Sequence, residues 1–161
     1  MFMFLFKKES HNFVLRYNRM IQRIQSIYLL LISILSVGFI FIFKLWKVAN
    51  DEVFAFDLFS NEETLSKLVP LLFILSAFVA IVSIFQFRKR QLQFVLGRII
   101  ILINLFLLGI LIYLSLNLPG EVSSEKGIGM FIPTVVILLS VIANKAIKKD
   151  EDLVKSVDRL R

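Results

Sequence analysis

The polar and ionisable residues of the 161-residue sequence offer few arrangements that catalyse reactions. There is one histidine, His11, and no cysteine, which excludes disulfides, cysteine nucleophiles and most zinc sites. The sequence also lacks the G-x-S-x-G, H-E-x-x-H, Walker A and dinucleotide-binding patterns. No serine or lysine stands in a pattern that pairs it with a base. We therefore predict that the protein is not an enzyme and holds no cofactor or metal.

One segment combines acidic and aromatic side chains. Its acids are Asp51, Glu52, Asp57, Glu62 and Glu63, and its phenylalanines are Phe54, Phe56 and Phe59. Carboxylates suit divalent cations, but the spacing lacks the D-x-[DN]-x-[DN]-G pattern, so we expect a solvated acidic loop. The rings form either a docking surface for a partner or a contact with lipid headgroups, where aromatic residues are enriched. We favour the headgroup contact, and we expect Trp46 to be a further interfacial anchor.

The amino-acid composition indicates the type of secondary structure that must position the polar and aromatic residues. The chain is 58% hydrophobic, with a mean hydropathy of +0.82. A soluble domain of this size cannot bury so many apolar side chains. A membrane-spanning helix needs about 20 apolar residues. Four stretches meet or approach this length, at about 24–43, 68–87, 99–118 and 127–144. We predict an all-α fold, a four-transmembrane-helix bundle over residues 24–147 that follows an N-terminal segment at 1–23.

The net charge of +7 indicates orientation in the membrane. If both termini are cytoplasmic, the inner segments hold fifteen of the nineteen Lys and Arg residues and the outer loops hold four. The positive-inside rule favours this arrangement. Because topology explains the excess charge, we expect the lipid bilayer as the partner of the basic residues and no nucleic acid.

Polar residues within the predicted spans are few and uncharged. Asn104 lies in the third span, and we favour a hydrogen bond between helices over a ligand contact. Ser76, Ala80 and Ser83 form a stripe of small residues on the second span, which is typical of close helix packing. We expect Pro133 to start or kink the fourth helix, with a flexible entry at Gly127 and Gly129. The second outer loop is expected to be a simple turn.

The C-terminal residues 148–161 suggest a separate cytoplasmic helix. The acids of DEDLVKSVDRL precede its bases, as the helix dipole favours, and Asp150 is a candidate N-cap. Asp150 would also interrupt the apolar stripe of the fourth span if that helix continued. The apolar side of this short amphipathic helix would carry Leu153, Val154, Val157 and Leu160. It would dock on a partner or lie on the anionic inner leaflet, and the two readings stay open.

Both ends of the chain resemble one family. Residues 20–31, MIQRIQSIYLLL, and the closing segment ANKAIKKDEDLVKSVDRLR are similar to the ends of the DUF4293 family, small four-helix inner-membrane proteins of Bacteroidota. The resemblance covers residues 20–161 and implies the fold, the bacterial inner membrane and the source, but no activity. Translation starts at either Met1 or Met20, and residues 1–19 would be absent in the second case.

Two functions from different classes follow. We expect a non-enzymatic accessory or assembly protein that acts through contacts with a membrane-protein partner or with itself. The alternative is a transporter or channel for a small solute or lipid, built from oligomerised bundles. The absence of any charged residue deep in the predicted spans disfavours this alternative.

Overall fold

Four long helices make up most of the protein. The computed structural model describes residues 25–38, 40–48, 51–60, 63–86, 89–117 and 125–159, so the predicted segment 1–23 lies outside the described residues. The helices are α1 (Gln25–Ile42), α2 (Thr64–Phe85), α3 (Arg90–Leu116) and α4 (Ile132–Arg159). Each contains a stretch long and apolar enough to cross a membrane. The fold is therefore mostly helical and indicates a multi-pass membrane protein.

The helices bury narrow stripes of residues spaced three and four apart. This spacing places one side of each helix against its neighbours, as in a coiled coil. The stripe of α2 is Ser66, Val69, Phe73, Ser76, Ala80 and Ser83, and that of α3 is Gln93, Gly97, Ile100, Asn104, Leu107, Leu111 and Leu114. Large apolar side chains cover the other sides and are exposed, among them Phe78, Leu102, Phe106 and Leu138. These outward residues are suited to contact lipid.

A small antiparallel sheet covers one end of the bundle, which we call the sheet end. Strand β1 (Lys44–Val48) lies between β2 (Asp51–Phe54) and β3 (Glu125–Lys126). Trp46 pairs with both Val53 and Lys126 across the two ladders. The expectation that the second outer loop is a simple turn is wrong, because part of this loop pairs with the first loop.

Two glycines allow the chain after β3 to pass directly over β1. The amide of Gly127 donates to the carbonyl of Leu45 at 2.8 Å. A Cβ atom on Gly127 or Gly129 would collide with the backbone carbonyl of Lys44. These glycines therefore permit close backbone contact, a role beyond the flexible entry that we expected. A 3₁₀ turn, Ile128–Phe131, then leads into α4, which starts with Pro133 as its second residue.

Helices α2, α3 and α4 each extend beyond one end of the predicted apolar stretch. Helix α3 begins at Arg90, nine residues before the predicted start of the third span, and only a short connection around Gln86 and Lys89 separates it from α2. Hydropathy identifies the part of a helix that contacts lipid, whereas backbone hydrogen bonds continue into polar sequence as long as no residue breaks the helix.

The prediction of a separate C-terminal helix is wrong. Helix α4 is continuous from Ile132 to Arg159, so residues 148–159 form no independent element and Asp150 is not an N-cap. Asp150 is fully buried and continues the stripe that contains Ser140, Ala143 and Ile147. The interruption of the apolar stripe was real, but a buried ion pair accommodates the carboxylate, as described below.

Trp46 also differs from expectation. Its side chain is 4% exposed and belongs to the apolar core with Leu45, Ala55 and Leu58. An indole buried in this way presents almost no surface to lipid headgroups, which the expected interfacial anchor would need.

We predict that Gly127→Ala destabilises the protein by about 1–3 kcal/mol, because the added methyl group meets backbone that cannot rotate away. Gly109→Ala is the matched control, since a Cβ there meets no atom within 4 Å and alanine favours the helix. Thermal unfolding in detergent micelles measures both variants. Equal melting temperatures for the two variants would contradict the close approach.

Candidate functional site

A polar contact between helices lies near the centre of the bundle. Asn104 Nδ2 donates to Ser76 Oγ at 2.7 Å and to the carbonyl of Ile100 at 2.9 Å. Both side chains are fully buried. The amide is thus part of the α2–α3 interface, where small residues let the helices approach each other.

The small residues of α2 lie on the same buried stripe as this contact. Ala80 and Ser83 are both fully buried, one and two turns beyond Ser76. Their positions match the packing stripe proposed from the sequence, and Ser83 Oγ has no hydrogen-bond partner among the described residues.

A largely buried ion pair lies at the end of the bundle opposite the sheet, which we call the Arg90 end. Arg90 Nε is 3.2 Å from Asp150 Oδ2, and Arg90 Nη1 donates to the backbone carbonyl of Asp150 at 3.3 Å. The Asp150 side chain is 0% exposed and that of Arg90 is 21% exposed. The start of α3 is thereby joined to the last turns of α4.

Other buried polar groups surround this ion pair. Gln25 Nε2 on α1 donates to the carbonyl of Ala146 at 3.1 Å, which joins a third helix to α4. The α3 backbone at Gly97 lies directly against the Asn144 side chain. Gln93, one turn after Arg90, is 1% exposed, and its Nε2 has no hydrogen-bond partner among the described residues. Three helices therefore meet here through polar contacts.

Sequence reasoning missed this cluster, although the sequence contained one signal for it. A charged residue on an otherwise apolar stripe requires a partner of opposite charge, and Asp150 was recognised as such an interruption. The partner, Arg90, falls between the predicted second and third spans, because hydropathy alone set the start of the third span at residue 99. Gln25 and Gln93 gave no comparable signal, since each stands within a mixed polar sequence.

The phenylalanines proposed as a contact surface lie at the sheet end. Phe56 packs between Phe41 and Phe59, with ring centroids 5.5 and 6.0 Å apart, and all three rings are exposed. Phe54, in β2, is partly buried, and its amide donates to Asp57 Oδ2 at 2.9 Å. Because Phe41 belongs to the outward surface of α1, the aromatic surface continues the apolar surface of the bundle.

The acidic residues nearby do not converge on one point. Among the described residues, no group of three His, Cys, Asp or Glu side chains is placed to hold a metal ion. Glu52 Oε1 instead accepts a hydrogen bond from Lys44 Nζ at 2.8 Å. This hydrogen bond and the Lys44 charge hold the pKa of Glu52 below its usual range.

The tail residues proposed as a contact surface are divided. Leu153 is partly buried beside a shallow groove of about 470 Å³ on α4. The side chains of Val154 and Val157 lie outside the described residues, as does all of Leu160. The apolar side predicted for this segment therefore stays a prediction.

A comparison with known protein families finds a match to this chain. The family model described as "Domain of unknown function (DUF4293)" matches residues 21–160, which is nearly the whole chain. No curated protein and no solved structure matches the chain.

We predict that Arg90→Met destabilises the protein by up to about 3–5 kcal/mol, because it leaves the buried Asp150 carboxylate without its cation. Arg90→Met combined with Asp150→Leu should cost less than Arg90→Met alone. The control is Lys155→Met, at an exposed ion pair with Glu151, with an expected loss within about 1 kcal/mol. Unfolding in detergent micelles measures all three, and a loss in the double variant as large as that of Arg90→Met alone, or larger, would refute the coupling.

Proposed function

The chain belongs to the DUF4293 family, and from this premise we propose that it is a non-enzymatic accessory or assembly protein of a bacterial inner membrane. It acts through contacts with a membrane-protein partner or with a second copy of itself. Family membership assigns no activity, so the proposal depends on the geometry of the residues.

The observation that supports this proposal is the packed interior. Val69, Ile100, Leu107 and Val136 are fully buried between the helices, and the central amide, Asn104, is bonded to Ser76. In the described part of the bundle, the side chains of the buried stripes fill the space between the helices that a substrate path would need. The surfaces left for function are therefore the outer faces and the two ends.

Two surfaces are suited to contact a partner. At the sheet end, Phe56 and Phe59 are exposed beside the sheet. At the Arg90 end, α4 projects: its 28 residues measure about 42 Å, longer than the roughly 30 Å hydrocarbon core. A helix that continues beyond the membrane presents a rigid surface to another protein. Residues at the lipid boundary can instead anchor the protein at the membrane interface.

The proposed orientation places both termini and the Arg90 end in the cytoplasm, and the sheet on the outer side. The support is the excess of Lys and Arg in the segments at the Arg90 end. We predict that truncation fusions to a periplasm-active reporter are active after Lys44 and inactive after Arg161. The reverse pattern would overturn the charge argument.

We predict that a second membrane protein co-purifies in near-equal amount when the chain is extracted gently with a C-terminal tag and analysed by mass spectrometry. Phe56→Ser with Phe59→Ser should reduce recovery of that partner if the aromatic surface is the contact. Ile128→Ser is the matched control, since Ile128 is also an exposed apolar residue at the sheet end.

Homogeneous self-assembly without a partner, together with solute or lipid flux in liposomes, would contradict the accessory role and favour the transporter alternative. Asn104→Leu then locates the path. Flux that falls in this variant would place Asn104 on the path, and unchanged flux would leave a transporter whose path avoids Asn104.

A further inference from the structure

Three lysines on α4 form a cationic cluster at the Arg90 end. Lys145, Lys148 and Lys149 are all exposed, and their spacing of three and four residues places them on one side of the helix. Within the described residues, no carboxylate lies within 4 Å of their ammonium groups. Like charges at this spacing repel, so the helix surface favours an anion between them.

The neighbouring acids are already engaged. Asp150 is paired with Arg90, and Glu151 Oε1 lies 2.8 Å from Lys155 Nζ. Among the described residues, Asp152 is the remaining carboxylate beside the cluster, and it leaves an excess of two positive charges there. The lysines thus retain charge that the described residues do not neutralise.

A groove accompanies the cluster. It is shallow, has a volume of about 470 Å³ and is lined by the three lysines together with Asp152, Leu153 and Ser156. The lining is mainly apolar, as expected where lysine methylene stems and a leucine form the walls while the ammonium groups stay at the rim. Such a groove suits a ligand that combines an anionic group with carbon-rich parts.

The position of the lysine cluster relative to the membrane indicates which anion lies close to it. Because Gly97 contacts Asn144, Arg98 on α3 and Lys145 on α4 lie at the same level of the bundle. The long apolar stretch of α3 starts directly after Arg98, so this level is the boundary between hydrocarbon and headgroups. The lysine cluster therefore begins where phospholipid phosphates lie.

We propose that Lys145, Lys148 and Lys149 bind the headgroup phosphate of an anionic membrane phospholipid in this groove. Basic residues next to a membrane-spanning helix attract anionic lipid, and here they are fixed on a helix that packs against α3. The proposed lipid site is separate from the partner contacts, and it does not depend on which function the bundle performs.

The test is a titration of the purified full chain in neutral detergent with phosphatidylglycerol, read by native mass spectrometry. Lys148→Gln with Lys149→Gln should raise the Kd by roughly tenfold or more, because each lysine attracts the anionic headgroup. Lys67→Gln with Lys89→Gln is the matched control, since it removes the same charge outside the groove and should leave the Kd near its original value. Equal weakening in both double variants would overturn the site.

Two further arms separate the proposed ligand from other sources of binding. Asp152→Asn removes the one carboxylate of the groove and should strengthen phosphatidylglycerol binding; weaker binding would count against the electrostatic argument. Phosphatidylcholine should bind much less tightly than phosphatidylglycerol. Displacement of the lipid by inorganic phosphate at constant ionic strength would show that the groove takes free phosphate, and this result would overturn the assignment to a lipid.

Discussion

Helices within a bilayer gain little by exchanging lipid contacts for contacts with each other, because lipid tails are as apolar as leucine side chains. Close packing and polar contacts between the helices must therefore hold this bundle together. The α2 and α3 stripes meet this constraint with small residues such as Ala80 and Gly97, and with the Asn104–Ser76 hydrogen bond. The large apolar residues lie mostly on the outside, the reverse of a soluble helical bundle.

The two ends of the bundle are held by different interactions. At the Arg90 end, side-chain contacts join α1 and α3 to α4 through Gln25, Arg90 and Asp150. At the sheet end, backbone hydrogen bonds join the segment after α1 to the segment before α4, and Trp46 and Leu45 are buried in the core there. A water-filled headgroup region would compete for both sets of polar groups, so their burial decides how much they contribute.

The four helices were predictable because long apolar stretches are a strong signal in a membrane protein. The small-residue stripe and the Asn104 contact could be predicted from the sequence for a similar reason, because few other polar groups occur in the predicted spans. The sheet was not predictable: β3 has two residues, and its pairing with β1 depends on a loop distant in sequence. Asp150 was misread because local helix-capping rules fit it well, while its partner Arg90 lies 60 residues earlier.

The pairing of β1 with β3 also constrains the order in which the chain acquires its structure during synthesis. Strand β2 follows β1 closely, so those two strands can pair as soon as the segment that carries them has been synthesised and has reached its side of the membrane. Strand β3 reaches the same side only after α2 and α3 have both crossed the membrane. Until then the second edge of β1 offers unpaired backbone groups, which attract any nearby strand. Completion of this three-stranded sheet thus marks the point in biogenesis at which the segment after α1 becomes joined to the segment before α4.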